Sequence, residues 1–358
     1  MKLDALPSIP LVDVREGGPV RHAREGRSRA RALRDECLAW FPAALRPLVP
    51  VFDAFARHWM RRSCSPYAAE IEAIAAALGF PGVWFLNGSY QFCCTALARE
   101  EDNVPWLART LDWPFAGLGR NAEIARMCGP AGEYFNITWP GYAGVLTAMA
   151  PGRFAVAINQ APLRRRTRHR WLRAYDIASA AVSTWMRVRD IPPDQLLRQV
   201  CETCATFEEA RVRLETVPVA RPVIFTLAGC APGECCVIER TEQDYETRFE
   251  ETAVANDWMR SREPWEARVG GDNLLMLDFA EAAANSRRRS EALACWDGLF
   301  TRDSFAWVTS PVLNPFTRIA VEMCPAKGLL RAAGYEAVVG HDLPQPVTQV
   351  REIAAVVG

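Results

Sequence analysis

Residues 83–115 constrain the fold of this chain more than any other stretch. The apolar residues from Val83 to Phe92 predict a strand, and a Cys-Cys-Thr junction follows them. Two further strands are predicted after this junction, separated by a polar turn at Glu100 to Asn103. The stretch therefore predicts three strands in close succession.

The same stretch carries a reactive set of side chains in apolar surroundings. Cys94 is a small nucleophile, Arg109 a fixed cation and Asp112 a carboxylate. A thiol of this kind is activated when a base lies beside it. Arg109 and Asp112 are three residues apart, which puts them on opposite faces of a strand, so a shared site requires a bend or bulge. Taken alone, the pattern also fits an inert cysteine in a hydrophobic core.

Composition limits the class of protein. The chain has 358 residues, half of them apolar, which is enough for one large or two ordinary domains. Lys and Arg together number 42, as do Asp and Glu, so no global field favours nucleic acid or an anionic membrane. A dense basic run at 163–175 is interpreted as a solvated helix face or loop rather than a nucleic-acid strip. We expect no nucleic-acid partner.

Cysteine usage and hydropathy predict a cytoplasmic protein with reduced thiols. Twelve Cys occur without the apolar stretch of a secretory signal at the N-terminus. No run of 18 or more uncharged apolar residues is present, so the sequence predicts no transmembrane helix.

Predicted strands and helices fall into separate clusters. Helical spacing of apolar residues predicts helices over 24–45 and 52–78, with Gly79 as a stop. The remaining predicted elements are strands at 134–139, 144–149, 153–158, 222–227, 235–239, 305–309 and 318–323, and helices at 178–188, 193–204, 207–215 and 288–299. This clustering predicts α+β layers rather than an alternating doubly wound sheet.

Several common chemistries lack their sequence motif. Cys201 and Cys204 lie on a predicted helix, and Cys235 and Cys236 are adjacent in a predicted strand, so neither pair favours a zinc site. No phosphate-binding loop, dinucleotide-binding glycine motif or nucleophile elbow occurs. The four His stand in no catalytic pattern, so a base for Cys94 has to come from elsewhere. We predict no metal and no cofactor.

An N-terminal nucleophile supplies its own base, because its free α-amine has a pKa of about 7.7–8.0. The segments C-T-A-L-A-R-E (94–100) and A-R-T-L-D-W (108–113) resemble the junction of acid ceramidase and N-acylethanolamine acid amidase. They are also similar to the choloylglycine hydrolase and isopenicillin-N acyltransferase groups. Further similar segments follow in the same order at 139–147, 158–159, 227–238, 256–258 and 285–289.

The resemblance implies an N-terminal nucleophile (Ntn) hydrolase. The expected fold is α+β, a four-layer αββα sandwich with a helical N-terminal segment. The resemblance implies self-cleavage between Cys93 and Cys94, which separates a helical segment 1–93 from a catalytic segment 94–358. The two would remain an α/β heterodimer, with a homo-oligomer left open. The expected partner is a small-molecule N-acyl amide, hydrolysed through a thioester.

Site roles are implied by position in the family motifs. Cys94 would be the nucleophile, Asp112 would position its α-amine, and Arg109 would fix that carboxylate. Asn256 would donate to the oxyanion and Arg288 would brace the site. The implied substrate-binding residues are Asn159, Gln160 and Trp113.

Some alternatives stay open at the level of sequence. Cys93 is a second candidate nucleophile, and Arg289 competes with Arg288. Gln160 stands where the amidases and ceramidases of the family carry Glu, which affects recognition of the amine. An acyltransferase, or an uncut relative that only binds acylated ligands, fits the same motifs.

Overall fold

The computed structural model describes residues 6–40, 42–88, 93–167, 169, 172, 175–176, 179, 182, 189–250, 252–260, 262, 264–266 and 279–357. The described strands are β1 (Leu11–Asp13), β2 (Cys93–Glu101), β3 (Val104–Asp112), β4 (Glu123–Gly129), β5 (Gly132–Thr138), β6 (Thr147–Ala150), β7 (Phe154–Gln160), β8 (Leu163–Arg164), β9 (Val223–Ala228), β10 (Cys235–Arg240), β11 (Tyr245–Arg248), β12 (Ala253–Val254), β13 (Trp265–Glu266), β14 (Thr317–Cys324), β15 (Leu329–Glu336), β16 (Gln345–Pro346) and β17 (Arg351–Ala354). The described α-helices are α1 (Gly18–Glu25), α2 (Arg27–Trp40), α3 (Val49–Arg62), α4 (Ala68–Leu78), α5 (Val83–Gly88), α6 (Leu118–Asn121), α7 (Pro193–Thr203), α8 (Phe207–Thr216) and α9 (Phe279–Ala294).

Two mainly antiparallel sheets stack face to face. Within the described ranges, the first sheet has the strand order β1-β4-β5-β6-β7-β9-β10-β11. The second has the order β12-β2-β3-β14-β15-β16, and β17 also pairs with β15. Strands β2 and β3 contact β7 and β9 of the opposite sheet, so they lie at the centre of the stack.

Helices cover the outer faces of both sheets. Helix α7 contacts β4, β5 and β6, and α8 contacts β9, β10 and β11, so these two helices lie on the first sheet. Helix α9 contacts β2 and β12 of the second sheet. The predicted four-layer αββα sandwich is confirmed.

The β2–β3 hairpin is confirmed, and its side chains alternate between two cores. Cys94 and Ala98 of β2, with Leu107 of β3, belong to the large core between the sheets. Leu97 and Trp106 belong instead to the core on the outer side of the second sheet. This is the period of two that a strand imposes. Cys94 therefore faces the interior of the sandwich.

The predicted strand over 83–92 is wrong in its described part, because Val83–Gly88 forms helix α5. A short apolar run fits a buried helix as well as a buried strand. Here a tertiary contact with α3 favours the helix: Oδ1 of Asp53 accepts a hydrogen bond from the backbone N–H of Phe85 at 2.9 Å. A carboxylate at this position satisfies a donor of the first helical turn. Residues 89–92 lie outside the described residues.

Other boundaries also differ from the sequence predictions. The helix predicted from Arg288 begins at Phe279 and ends at Ala294. The strand predicted at 305–309 is wrong: the segment is a turn, held because Glu322 accepts from the backbone N–H of Phe305 and from Trp307 Nε1. The predicted 24–45 and 52–78 helices are each divided into shorter helices.

Two predictions fall partly on residues that are not described. Most of the predicted helix 178–188 lies outside the described residues, as do positions 168, 170, 171, 173 and 174 of the basic run 163–175. None of the described helices has the length and hydropathy needed to span a membrane.

The N-terminal helical segment packs on the sandwich through a buried ion-pair network. Arg198 of α7 bonds Glu70 of α4 at 2.5 Å and Glu202 at 2.8 Å. Its Nη1 also donates to the carbonyl of Ala143 at 2.8 Å. Strand β1 adds a parallel pairing with β4. The segment is thus tied to the sheets by polar and backbone bonds.

We expect Arg198→Met to lower the free energy of unfolding by about 2–4 kcal/mol, because two mostly buried carboxylates lose their cation. The matched control is Arg57→Met, whose partner Glu72 and whose own guanidinium are both more than a third exposed. We expect that change to cost roughly 0–1 kcal/mol. Urea unfolding followed by circular dichroism measures both. Equal losses would contradict the role of Arg198.

Candidate active site

Cys94 and Cys93 lie on opposite faces of β2. Cys94 pairs with Leu111 in the β2–β3 ladder and belongs to the core between the sheets, where its exposure is 0%. Cys93 pairs with Asp112, and its thiol lies within the electrostatic influence of Arg289. Strand geometry therefore gives the two neighbouring thiols different surroundings.

Arg109 is aimed at the thiol of Cys94. It pairs with Ala96 in the ladder, on the same face as Cys94. Its Nη2 donates to Cys94 Sγ at 2.9 Å and to the carbonyl of Ile158 at 2.7 Å. Its Nη1 donates to the carbonyl of Leu146 at 2.8 Å. Carbonyl dipoles of the facing sheet thus hold the guanidinium in place beside the sulfur.

The pKa of the Cys94 thiol reflects opposing effects. Burial raises it above its ordinary value, Arg109 lowers it through its positive charge and its hydrogen bond, and the charge of Asp112 raises it. Burial prevails, so in the continuous chain the thiol keeps its proton at neutral pH. Arg109 is the group that would favour a thiolate.

Asn256 holds the backbone nitrogen of Cys94. The residue follows β12, which pairs with β2 at Ala96, and this pairing brings it to the site. Its Oδ1 accepts from the Cys94 N–H at 2.9 Å, and its Nδ2 donates to the carbonyl of Gln160 at 2.9 Å. Its own N–H donates to Ser286 Oγ of α9 at 2.8 Å.

Arg289, and not Arg288, reaches the site. Helix α9 buries Ala282, Ser286, Arg289 and Leu293, whose spacing of four, three and four residues marks one helix face. Arg288 lies off that face, is half exposed and pairs with Glu281. The prediction that Arg288 braces the site is therefore wrong.

The contacts of Arg289 surround the residue after the Cys93–Cys94 bond. Its Nη1 donates to the carbonyl of Cys94 at 3.0 Å and to Thr95 Oγ1 at 2.9 Å. Its Nη2 donates to Asn256 Oδ1 at 3.0 Å. One guanidinium thus orients both the main chain at Cys94 and the side chain that holds the Cys94 nitrogen.

Asp112 lies on the face of β3 opposite to Arg109, so the prediction that Arg109 fixes this carboxylate is wrong. Oδ2 accepts from Asn314 Nδ2 at 2.7 Å, and Oδ1 accepts from Thr317 Oγ1 at 2.9 Å. Arg289 Nη1 lies 3.7 Å from Oδ2. The β2–β3 register is regular from Arg109 to Asp112, so the bend or bulge that a site shared by these two side chains would need is not there. The register of the neighbouring strand β14 shifts after Thr317.

Burial also raises the pKa of Asp112. The charge of Arg289 opposes this effect, as do hydrogen bonds from Asn314 and Thr317. The carboxyl is completely buried, so these donors decide how readily it carries a charge near Cys94.

The predicted substrate-binding residues border the same region. Asn159 Nδ2 donates to the carbonyl of Ala255 at 3.0 Å, which connects β7 to the segment that carries Asn256. Gln160 is mostly buried and offers its backbone carbonyl to Asn256. Trp113 packs edge-to-face against Trp139 with ring centroids 5.1 Å apart. All three residues lie on segments that pack around the site.

The site is closed to solvent in the continuous chain. Cys94, Arg109, Asp112 and Asn256 each have 0% exposure, and Arg289 has 1%. Among the described residues, no group of His, Cys, Asp and Glu is arranged to hold a metal ion. The arrangement offers a thiol, a backbone amide, two guanidinium groups and a carboxyl, which is a set suited to acyl transfer.

Sequence reasoning missed three groups that contact the predicted site. Ser286 and Arg289 share a helix face with the apolar residues Ala282 and Leu293. A helix predicted to start before residue 282 would have placed both of them on its buried side. No sequence pattern indicated that Asn314 and Thr317 contact Asp112, because they lie at a turn that matches no functional motif. They are 202 and 205 residues from Asp112 along the chain.

Comparison with known proteins finds relatives among acid ceramidases and N-acylethanolamine-hydrolyzing acid amidases. No protein-family model matches the chain. The probable acid ceramidase of Caenorhabditis elegans is 26% identical over 289 residues, covering 74% of this chain and 68% of that protein. The N-acylethanolamine-hydrolyzing acid amidase of Cavia porcellus is 24% identical over 250 residues, covering 67% and 64%. The match thus spans about two thirds of the length of each relative.

Among solved structures, the Caenorhabditis elegans ortholog of N-acylethanolamine-hydrolyzing acid amidase aligns with a TM-score of 0.48 and 20% identity, over 65% of this chain and 93% of that one. The sequence relatives are of the same kinds, acid ceramidase and N-acylethanolamine acid amidase, that the segments at 94–100 and 108–113 resemble. The chain is thus similar in sequence to acid ceramidases and N-acylethanolamine-hydrolyzing acid amidases.

Proposed function

We propose that this protein is a self-processing N-terminal cysteine amidohydrolase. It cleaves the C–N bond of linear N-acyl amides through a thioester on Cys94. The observation that carries the proposal is the pair of contacts at Cys94, where Arg109 donates to the thiol and Asn256 accepts from the N–H. The names of the relatives, a ceramidase and an acylethanolamine amidase, support an acyl amide as the substrate.

The first step is cleavage of the chain before Cys94. The thiol attacks the carbonyl carbon of Cys93, the C–N bond breaks, and the acyl group moves to sulfur while the nitrogen takes the proton. Water then hydrolyses the thioester, which leaves a carboxylate on Cys93 and a free thiol and α-amine on Cys94. Arg289 and Asn256 support this step by holding the carbonyl and the nitrogen of Cys94.

In turnover the α-amine of Cys94 acts as the base. It accepts the thiol proton as sulfur attacks the substrate carbonyl, and it returns that proton to the leaving amine. Water then releases the acid from the thioester. Arg109 favours the thiolate, and an amide donor such as Asn256 stabilises the oxyanion, a contribution of about 3 kcal/mol for one donor in other enzymes.

Processing also opens the site. A fully buried thiol is inaccessible to a substrate, and cleavage of the chain at position 94 removes the covalent link that keeps it enclosed. The fragments 1–93 and 94–358 stay associated, because the Arg198–Glu70 contact and the β1–β4 pairing join them. The twelve free thiols fit a reducing compartment, and on this ground we place the protein in the cytoplasm.

The cysteine doublet gives a direct test. We expect Cys94→Ala to abolish both chain cleavage and amide turnover, because the thiol that faces Arg109 is lost. Cys93→Ala should retain most of both activities, since its side chain lies on the other face of β2. Intact-mass analysis should find the masses of 1–93 and 94–358 in the wild type. The reverse pattern would make Cys93 the nucleophile, and an active uncut wild type would refute self-processing.

The two neighbouring arginines of α9 form a matched pair. We expect Arg289→Met to reduce the rate of chain cleavage and kcat/KM by at least about 100-fold, because a buried charged donor is lost from the site. Arg288→Met should behave like the wild type, since Arg288 faces solvent. Cleavage is followed by gel and turnover with a fluorogenic N-acyl amide. Equal effects of the two substitutions would contradict the assignment.

The acyl part of the substrate is expected to be apolar. Buried apolar area contributes roughly 25 cal/mol per Å², so each added methylene should improve kcat/KM until the site is filled. A series of fluorogenic amides with saturated acyl chains of increasing length measures this dependence. A flat series, or activity confined to charged peptides, would exclude an apolar acyl substrate.

A further inference from the structure

The turn at 312–317 forms a bracket around the end of β3. Asn314 Oδ1 accepts from the Phe316 N–H at 3.0 Å, and the Thr317 N–H donates to the carbonyl of Asn314 at 2.9 Å. The N–H of Trp113 donates to the carbonyl of Phe316 at 2.7 Å. The turn is therefore closed by its own bonds and attached to the residue after Asp112.

Both side chains at the ends of this bracket donate to the same carboxyl group. Asn314 Nδ2 donates to one oxygen of Asp112 and Thr317 Oγ1 donates to the other. The two bonds fix the rotation of the carboxylate about its last torsion, since each oxygen has its own donor. Arg289 contributes charge from 3.7 Å but lies beyond hydrogen-bond distance.

We propose that Asn314 and Thr317 are positioning residues, which hold the Asp112 carboxylate charged and oriented toward the α-amine that cleavage creates at Cys94. This inference rests on the proposed function, because the α-amine exists only after the chain is cut. It assigns to two side chains from a distant turn the task that the sequence had assigned to Arg109. Asn314 and Thr317 touch no reacting atom and act only through Asp112.

Other charged and titratable groups act on Asp112 from the elements around it. They are Arg289 of α9, Arg318 of β14, and the thiols of Cys93 and Cys94 on β2. None of them is changed by a substitution at Thr317. A shift in pH dependence caused by such a substitution therefore reports the lost hydrogen bond.

The direction of that shift follows from linkage. The active form has the Asp112 carboxylate charged and the α-amine neutral, and the two groups titrate as a coupled pair. A donor to the charged carboxylate disfavours its protonation, so removing the donor favours a proton on the pair. The acidic limb of kcat/KM must then move to higher pH.

The test compares Thr317→Val, which removes the hydroxyl at nearly constant shape, with Thr317→Ser, which keeps it. With a fluorogenic N-acyl amide, we expect Thr317→Val to move the acidic limb up by about one pH unit and to lower kcat more than it raises KM. Thr317→Ser should restore the wild-type profile. Asn314→Asp keeps the acceptor for Phe316 but places a second carboxyl against Asp112, so it should raise the limb at least as far.

The outcomes separate this inference from the proposed function. If the wild type is cleaved at 93/94 and turns over, but Thr317→Val has an unchanged acidic limb, the positioning role is refuted and the function stands. A loss of activity equal at every pH and not restored by Thr317→Ser would indicate a structural role only, and would also refute it. If Thr317→Val fails to fold, as judged by circular dichroism, Asn314→Asp decides. A wild type without cleavage or turnover overturns both proposals.

Discussion

Two buried guanidinium groups, one on each side of the β2–β3 hairpin, are the constraint on which the site depends. Arg109 lies between the sheets and donates to the Cys94 thiol, and Arg289 lies on the buried face of α9 and donates to the Cys94 carbonyl. A buried cation is stable only when its donors are satisfied. At both positions the terminal nitrogens donate to carbonyl, amide, hydroxyl or thiol acceptors, which fixes the orientation of each guanidinium. The backbone and the side chain of Cys94 are thereby held independently.

The chain uses arginine in this way well beyond the site. Arg240 donates to the carbonyls of Leu214 and Val217 at the end of α8, and Arg153 donates to those of Cys201 and Cys204 at the end of α7. A planar guanidinium has several donors in fixed directions and can serve two carbonyls at once, which a lysine ammonium does less well. The helices of the outer layer are thus attached to the sheets by directional bonds as well as by apolar packing.

Burial keeps the reactive groups of the site in their uncharged forms before the chain is cut. In the continuous chain, burial raises the pKa of the Cys94 thiol and that of the Asp112 carboxyl. Both groups are therefore biased toward their neutral forms while Arg109 and Arg289 already occupy the positions that favour charge. A change in solvent access or the creation of an amine at Cys94 would shift this balance without moving the frame. In the order of events that we propose, the contacts of Arg109 and Arg289 therefore form before chain cleavage, and amide hydrolysis begins after it.

What the sequence determined by itself is local. The polar turn at Glu100 to Asn103 predicted two successive strands, and the period of two put Arg109 and Asp112 on opposite faces. The motif order indicated a resemblance to acid ceramidases and N-acylethanolamine acid amidases, and it predicted that Cys94, Arg109, Asp112 and Asn256 lie in one region. These predictions hold because strand geometry and short motifs depend on neighbouring residues.

The tertiary structure decided which groups contact one another. It placed Arg289 rather than Arg288 at the site, because α9 begins at Phe279 and turns that face toward β2. It also placed Asn314 and Thr317 in hydrogen-bond contact with the Asp112 carboxylate, although they are some 200 residues away in the chain. A pairing over such a distance depends on the register of β14 and on its shift after Thr317, and no local pattern encodes either.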